Sequence, residues 1–174
     1  AHHFCPNESN CPPQVKGRIE HFIGRKAMNI DGIGEETVEH LFQYKMVSDV
    51  SDLYLLKYED LIKMDRMADK SVNNLLEGIE NSKSISFEKV LFGLGIRYVG
   101  ETIAKKIVNE FYSIDAIMDA DIERLIEVDE IGERIAHSLF HYLQEEKNRS
   151  LIYRLKEIGL QFSIKKKILD SDIL

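Results

Sequence analysis

"NIDGIGEETVEHLF", residues 29–42, sets two glycines one residue apart in front of a run whose apolar residues fall at helical spacing. Gly32 suits the left-handed backbone that closes a helix C-terminus, which puts the end of a first helix near residue 30. After Gly34 a second helix begins, with Glu35 and Glu36 in its first turn, where the macrodipole favours acids. Ile33, between the glycines, can turn inward onto Val38 and Leu41. Taken alone, such a turn reads equally well as a plain joint between two helices or as a loop shaped to hold a ligand.

Outward from this stretch the chain repeats itself. Ile33, Met67, Val99 and Ile131 stand 32 to 34 residues apart, and apolar residues coincide around them in all four copies. Three residues earlier come Ile30, Met64, Ile96 and Val128; five later, Val38, Val72, Ala104 and Ala136. Eight later stand Leu41, Leu75, Ile107 and Leu139, and nine later Phe42, Leu76, Val108 and Phe140. The residue just after the aligned position is always small: Gly34, Ala68, Gly100 and Gly132. Amphipathic spacing alone does not require that, so each unit reads as helix, tight turn and helix.

Composition bounds the rest. The 174 residues suffice for one domain with a real core or a small domain with an appendage. Hydrophobic residues make up 44% and charged residues 30%, and no apolar run approaches the roughly 20 residues of a membrane span, so no membrane partner is expected. Residues 1–14 lack the basic start and apolar run of a signal peptide, which favours an intracellular, cytoplasmic location. A net charge of -7 argues against coating by nucleic acid through bulk charge, so any such contact is local. All three prolines lie in the first 13 residues, and helical periodicity without sheet signals runs on to about residue 162, which predicts an all-α body.

A turn that leads at once into a helix leaves backbone N–H groups without intrahelical partners, and a small corner residue leaves room for a phosphate oxygen. The pattern h-x-G-h-G-x-x-x-h-x-x-h over residues 30–41 resembles the helix-hairpin-helix motif. In that family the hairpin amides hold the DNA backbone from the minor-groove side without reading sequence. Copy three, with Arg97, Thr102, Lys105 and Lys106 against Glu101, is the first choice for phosphate contact; copy two, with Lys63, Arg66 and Lys70 against Asp65 and Asp69, is the second. Copy one carries Asp31, Glu35, Glu36 and Glu39, though Arg25 and Lys26 precede it, and copy four carries Glu127, Asp129, Glu130 and Glu133 against Arg134; these acids could repel DNA. The candidate DNA-binding set is therefore Gly32, Gly34, Arg66, Ala68, Lys70, Arg97, Gly100, Thr102, Lys105 and Gly132. The alternative is a helical protein-interaction scaffold whose acidic surface suits a basic partner.

Cys5 and Cys11, spaced C-x5-C, cannot complete a tetrahedral zinc site alone, and His2, His3 and His21 are the nearby substitutes. At this point the order of "CPNESNCPPQ", the first hairpin, "DRMADKS", "LFGLGIRYVGETIAKKI", "VDEIGERIA" and "EEKNRSLIYRLKEIGLQF" becomes informative. Together they resemble the C-terminal half of bacterial NAD-dependent DNA ligases, over nearly every residue. That resemblance implies a four-cysteine zinc module, of which Cys5 and Cys11 look like the third and fourth ligands. It implies residues 1–14 as half of that module, 15–162 as four tandem helix-hairpin-helix motifs packed as two pairs (near 28–42, 62–76, 94–108 and 126–140), and 163–174 as a linker to a BRCT domain. The implied partners are nicked double-stranded DNA and the catalytic and BRCT domains of the same parent chain. NAD and magnesium belong to the absent nucleotidyltransferase half, so the chain alone is expected to ligate nothing, and no catalytic residue is assigned to it. Ala68 and Glu130 depart from the family's glycines.

Overall fold

A computed structural model describes residues 12–165, and among these the chain is helical throughout. The aligned apolar positions explain why. Val38, Leu41, Val72, Leu75, Ala104, Ile107, Ala136 and Leu139 are fully buried, so each second helix turns one stripe inward. These helices are α2 (Glu35–Gln43), α4 (Asp69–Ser82), α6 (Glu101–Phe111) and α9 (Glu133–Gln144). Their partners, the first helices, are α1 (Pro12–Ile23), α3 (Tyr58–Leu61), α5 (Phe87–Gly93) and α8 (Ile122–Ile126).

The first unit differs from the sequence expectation. Its opening helix stops at Ile23 rather than near residue 30. The chain then winds through turns in which Ala27 and Asn29 donate to the Gly24 carbonyl and Ile30 donates to Ile23, with Asn29 in the left-handed region at φ 49°. Asn tolerates that conformation better than most residues, so the reversal is built before the glycines are reached.

Between the units of each half runs a short connecting helix: the 3-10 helix η1 (Val50–Leu55), capped by Asp49, in the first half, and α7 (Ile114–Asp119), capped by Ser113, in the second. The halves meet where α1 packs on α5. There Gly93 lets the two helices approach closely, since a Cβ would lie 3.3 Å from Ala27 Cβ, a tight contact, and 3.5 Å from the Phe22 ring. One hydrophobic cluster runs through both halves.

The last helix, α10 (Glu146–Ile158), packs on α9 and η1 and is pinned by ion pairs Arg154 to Asp49 (2.9 Å) and Lys156 to Asp115 (3.0 Å). It ends in a Schellman motif, with Gly159 at φ 117° and Leu160 N–H donating to Leu155. The chain then runs back beside residues 112–114: Ile114 donates to Phe162, and Ile164 to Tyr112. Ser113 and Ser163 thus form an isolated antiparallel bridge, so the stretch read as linker from 163 is still held at its first residues.

Candidate nucleic-acid interface

In the four hairpins the same register position is left-handed: Gly32 at φ 90°, Arg66 at 64°, Tyr98 at 69° and Glu130 at 68°. For the three non-glycine residues this costs about 1–2 kcal/mol each. The reversal is closed behind them by Met67, Val99 and Ile131, whose N–H groups donate to Met64, Ile96 and Val128. Ile33, Val99 and Ile131 are buried, and Met67 is half-buried, so the middle residue anchors each turn in the core.

The next residue, Gly34, Ala68, Gly100 or Gly132, is extended, with φ between -83° and -113°. Any residue adopts that conformation. Nor does packing demand glycine: a Cβ on Gly34, Gly100 or Gly132 would meet nothing within 4 Å. Ala68 holds the same geometry with its methyl group. These corners are therefore small although neither backbone nor core requires it.

Each corner carbonyl accepts the first helical bond, from Val38, Val72, Ala104 or Ala136 at 2.9–3.0 Å. No side chain caps any of the four helix starts. Elsewhere in the chain η1, α7 and α8 are capped by Asp49, Ser113 and Asp121, while α3, α5 and α10 also lack a side-chain cap, so what sets the four hairpin starts apart is the small corner residue combined with the missing cap. The first-turn amides of α2, α4, α6 and α9 thus have neither intrahelical partners nor a side-chain cap.

The hairpins are paired across each half. In the first, Gly32 rests on α4: a Cβ there would lie 3.2 Å from Leu75 Cα and 3.3 Å from its nitrogen. In return Gly78 of α4 makes room for hairpin one, because a Cβ at 78 would lie 2.7 Å from the Asp31 carbonyl oxygen. From hairpin two, Arg66 reaches Glu36 of α2 at 2.9 Å. In the second half, Ser138 Oγ of α9 donates to the Arg97 carbonyl at 2.6 Å. Lys106 of α6 pairs with Asp129 (3.4 Å) and Glu130 (3.3 Å) of hairpin four, and these carboxylates, Glu130 first, hold its pKa above the usual lysine value.

The sequence-selected residues fall as follows. Lys70 and Thr102 lie in the exposed first turns of α4 and α6, Lys105 lies one turn further on the exposed face of α6, and Arg97 is exposed on hairpin three. Arg66 is exposed but already engaged by Glu36, and Gly32, itself exposed, has its α-carbon against the backbone of α4. Sequence reasoning missed Gly78, although an isolated glycine inside a helical pattern is a signal of close approach. It also did not select Tyr98, and it set Arg134 only against the acids of copy four; the two meet across the second pair, where the Arg97 and Arg134 guanidiniums lie 5.0 and 5.4 Å from the Tyr98 ring centre.

Cys5, Cys11, His2 and His3 lie outside the described residues. His21, weighed as a substitute ligand, is occupied: its Nε2 donates to the Phe92 carbonyl at 2.7 Å, and its ring lies 4.6 Å from that of Phe92. Among the described residues no three His, Cys, Asp or Glu side chains gather in a metal-holding group, and no helix is long and apolar enough to cross a membrane.

Comparison with known proteins agrees with the resemblance read from the motifs. Residues 89–152, copies three and four with the start of α10, match the model of the helix-hairpin-helix motif. Over 164 residues, 94% of its length, the chain is 57% identical to the DNA ligase of Parabacteroides distasonis. It is 55% identical over 92% of its length to the DNA ligase of Bacteroides fragilis, and 54% identical over 93% to that of Flavobacterium johnsoniae. In each case the match spans 24% of the relative, so the chain corresponds to about a quarter of the length of these ligases.

Proposed function

We propose that this chain is the DNA-binding region of a bacterial NAD-dependent DNA ligase, holding nicked duplex by its backbone, without sequence preference, while catalytic domains elsewhere in the parent chain seal the nick. The observation that carries the reading is the set of four helix starts left uncapped behind corner residues whose Cβ space is open. Amides so arranged present partial positive charge to a phosphate without spending a side chain on it. Copies three and two add exposed cations, Arg97, Lys105 and Lys70. The acids of copies one and four are partly neutralised across each pair, Glu36 by Arg66, and Asp129 and Glu130 by Lys106.

NAD and magnesium chemistry lies outside this chain in the proposal. Residues 1–14 contribute the second cysteine pair, Cys5 and Cys11, of a zinc module completed elsewhere in the parent chain, where zinc supplies folding free energy to the module.

Titration of a nicked duplex at low salt tests the reading. Weak, sequence-independent binding is expected, with log K falling linearly in log salt and a slope set by the few phosphates neutralised. Replacing Gly100 by a bulky residue should weaken binding more than replacing Glu130; equal effects would exclude the hairpin amides as the contact. Absence of binding, by this chain and by a longer one with the zinc module complete, would favour a protein-interaction scaffold instead. No ligation by the chain alone is expected.

A further inference from the structure

Copy four poses a problem for a four-hairpin grip, since its turn carries Asp129 and Glu130 and its helix opens on Glu133. Its surroundings resolve it. Both turn acids face Lys106, and the face of α9 turned toward hairpin three is cationic and aromatic. An open cleft of about 540 Å³ there is lined by Arg97 and Tyr98 from hairpin three, and by Arg134, His137 and His141 from α9, with Glu133 its one acid. The corresponding place in the first pair holds Asp31, Gly32, Lys70, Asn73 and Glu77, from the repeat register, so the feature belongs to the second pair alone.

Tyr98 organises this cleft. Its left-handed backbone (φ 69°) directs the ring out of the turn, and it stays 44% exposed with the two guanidiniums against it. An aromatic ring that holds an arginine lowers the rotamer entropy lost when that arginine engages a ligand, and leaves its N–H donors free to point elsewhere. Among the described residues neither Arg97 nor Arg134 has a carboxylate within 4.0 Å. Two such groups side by side, with Ser138 fixing the Arg97 backbone, fit an anion that presents two acceptor oxygens, as the non-bridging oxygens of a phosphodiester do.

We infer that the cleft between hairpin three and α9 is a phosphodiester-binding site, and that the fourth copy joins the grip through Arg134 held on Tyr98 rather than through its acidic turn. This rests on the DNA-binding reading above and assigns to it residues that the hairpin pattern does not select.

The test is titration of the intact chain with a nicked duplex as a function of salt. Arg134→Gln is expected to weaken binding about fivefold to tenfold at low salt and to make the salt slope shallower by about one phosphate. Tyr98→Leu, which keeps both arginines but removes their support, should weaken binding with the slope retained. Lys156→Gln, which removes a charge from α10 at a residue that does not line the cleft, serves as the control for net charge. An Arg134→Gln titration no different from that of Lys156→Gln, while Gly100→Val still loses affinity, would overturn the cleft and leave the hairpin amides standing. Loss of affinity by Arg134→Gln alone, with Gly100→Val unchanged, would support the cleft and refute the amide contact. No binding by the unaltered chain at low salt would overturn both.

Discussion

Gly32 and Gly34 lie two residues apart in one turn, one close against the backbone of α4 and the other with open space beside it, so the same substitution at each should have different consequences. At Gly32 an alanine must adopt φ 90°, at about 1–2 kcal/mol, and its Cβ would stand 3.2 Å from Leu75 Cα. Because the obstacle is helix backbone, relief requires hairpin one to shift off α4, an overpacking cost of about 1–3 kcal/mol. The combined destabilisation is about 2–5 kcal/mol. At Gly34 the backbone is already extended (φ -103°) and the space is open. There the loss of unfolded-state freedom stabilises by about 0.4–1 kcal/mol, and alanine's poorer performance at a helix N-cap takes back about 0.5–1 kcal/mol. The net change is within about 0.5 kcal/mol. In a domain of this size 1 kcal/mol moves the unfolding midpoint by about 2–4 °C. Gly32→Ala should therefore melt about 4–20 °C lower and Gly34→Ala within about 2 °C of the unaltered chain. Far-UV circular dichroism on heating, with urea midpoints as a second measure, reads the difference. Equal shifts for the two variants would refute the division into a packing glycine and an access glycine.

Three further outcomes follow from the same geometry. Gly78→Ala gains about 1 kcal/mol of helix propensity, yet its Cβ would sit 2.7 Å from the Asp31 carbonyl; a net loss of about 1–3 kcal/mol is expected in urea unfolding, and a gain would show that hairpin one does not seat on α4. Lys106→Gln releases Asp129 and Glu130, so nicked-duplex affinity at low salt should fall while the urea midpoint, for so exposed a cluster, stays close to that of the unaltered chain; unchanged affinity would mean that these acids do not face the DNA. Burial pushes the Tyr54 hydroxyl up to about 12, so the folded state keeps this proton longer than the unfolded chain, whose tyrosines titrate near 10. Its contribution is complete below pH 10 and is lost as pH rises toward 12, so Tyr54→Phe should flatten the decline of the urea midpoint over that range; parallel declines would contradict the assignment.

How far the sequence could be read follows from the range of each interaction. The repeat of apolar positions was visible because a helix writes its buried face into spacings of three and four residues, and the aligned positions Ile30, Val38 and Leu41 with their counterparts do form the core. The small corner residue was visible too, and with it the family resemblance. The early end of α1 at Ile23 escaped because the turns of residues 24–28 are fixed by backbone bonds that no apolar pattern records.

The four helix-turn-helix units, their burial stripes and the open corners at Gly34, Ala68, Gly100 and Gly132 were determined by the sequence itself, since each depends on residues within one turn or one helix of the other. Tertiary structure alone decided which glycine serves packing and which serves access, because that depends on Leu75, more than 40 residues beyond Gly32. It also decided that Lys106 answers Glu130 and that Tyr98 gathers Arg97 and Arg134, contacts between units that a local pattern cannot encode. A hairpin is a local object; the charge it shows to a partner is set by the unit packed against it.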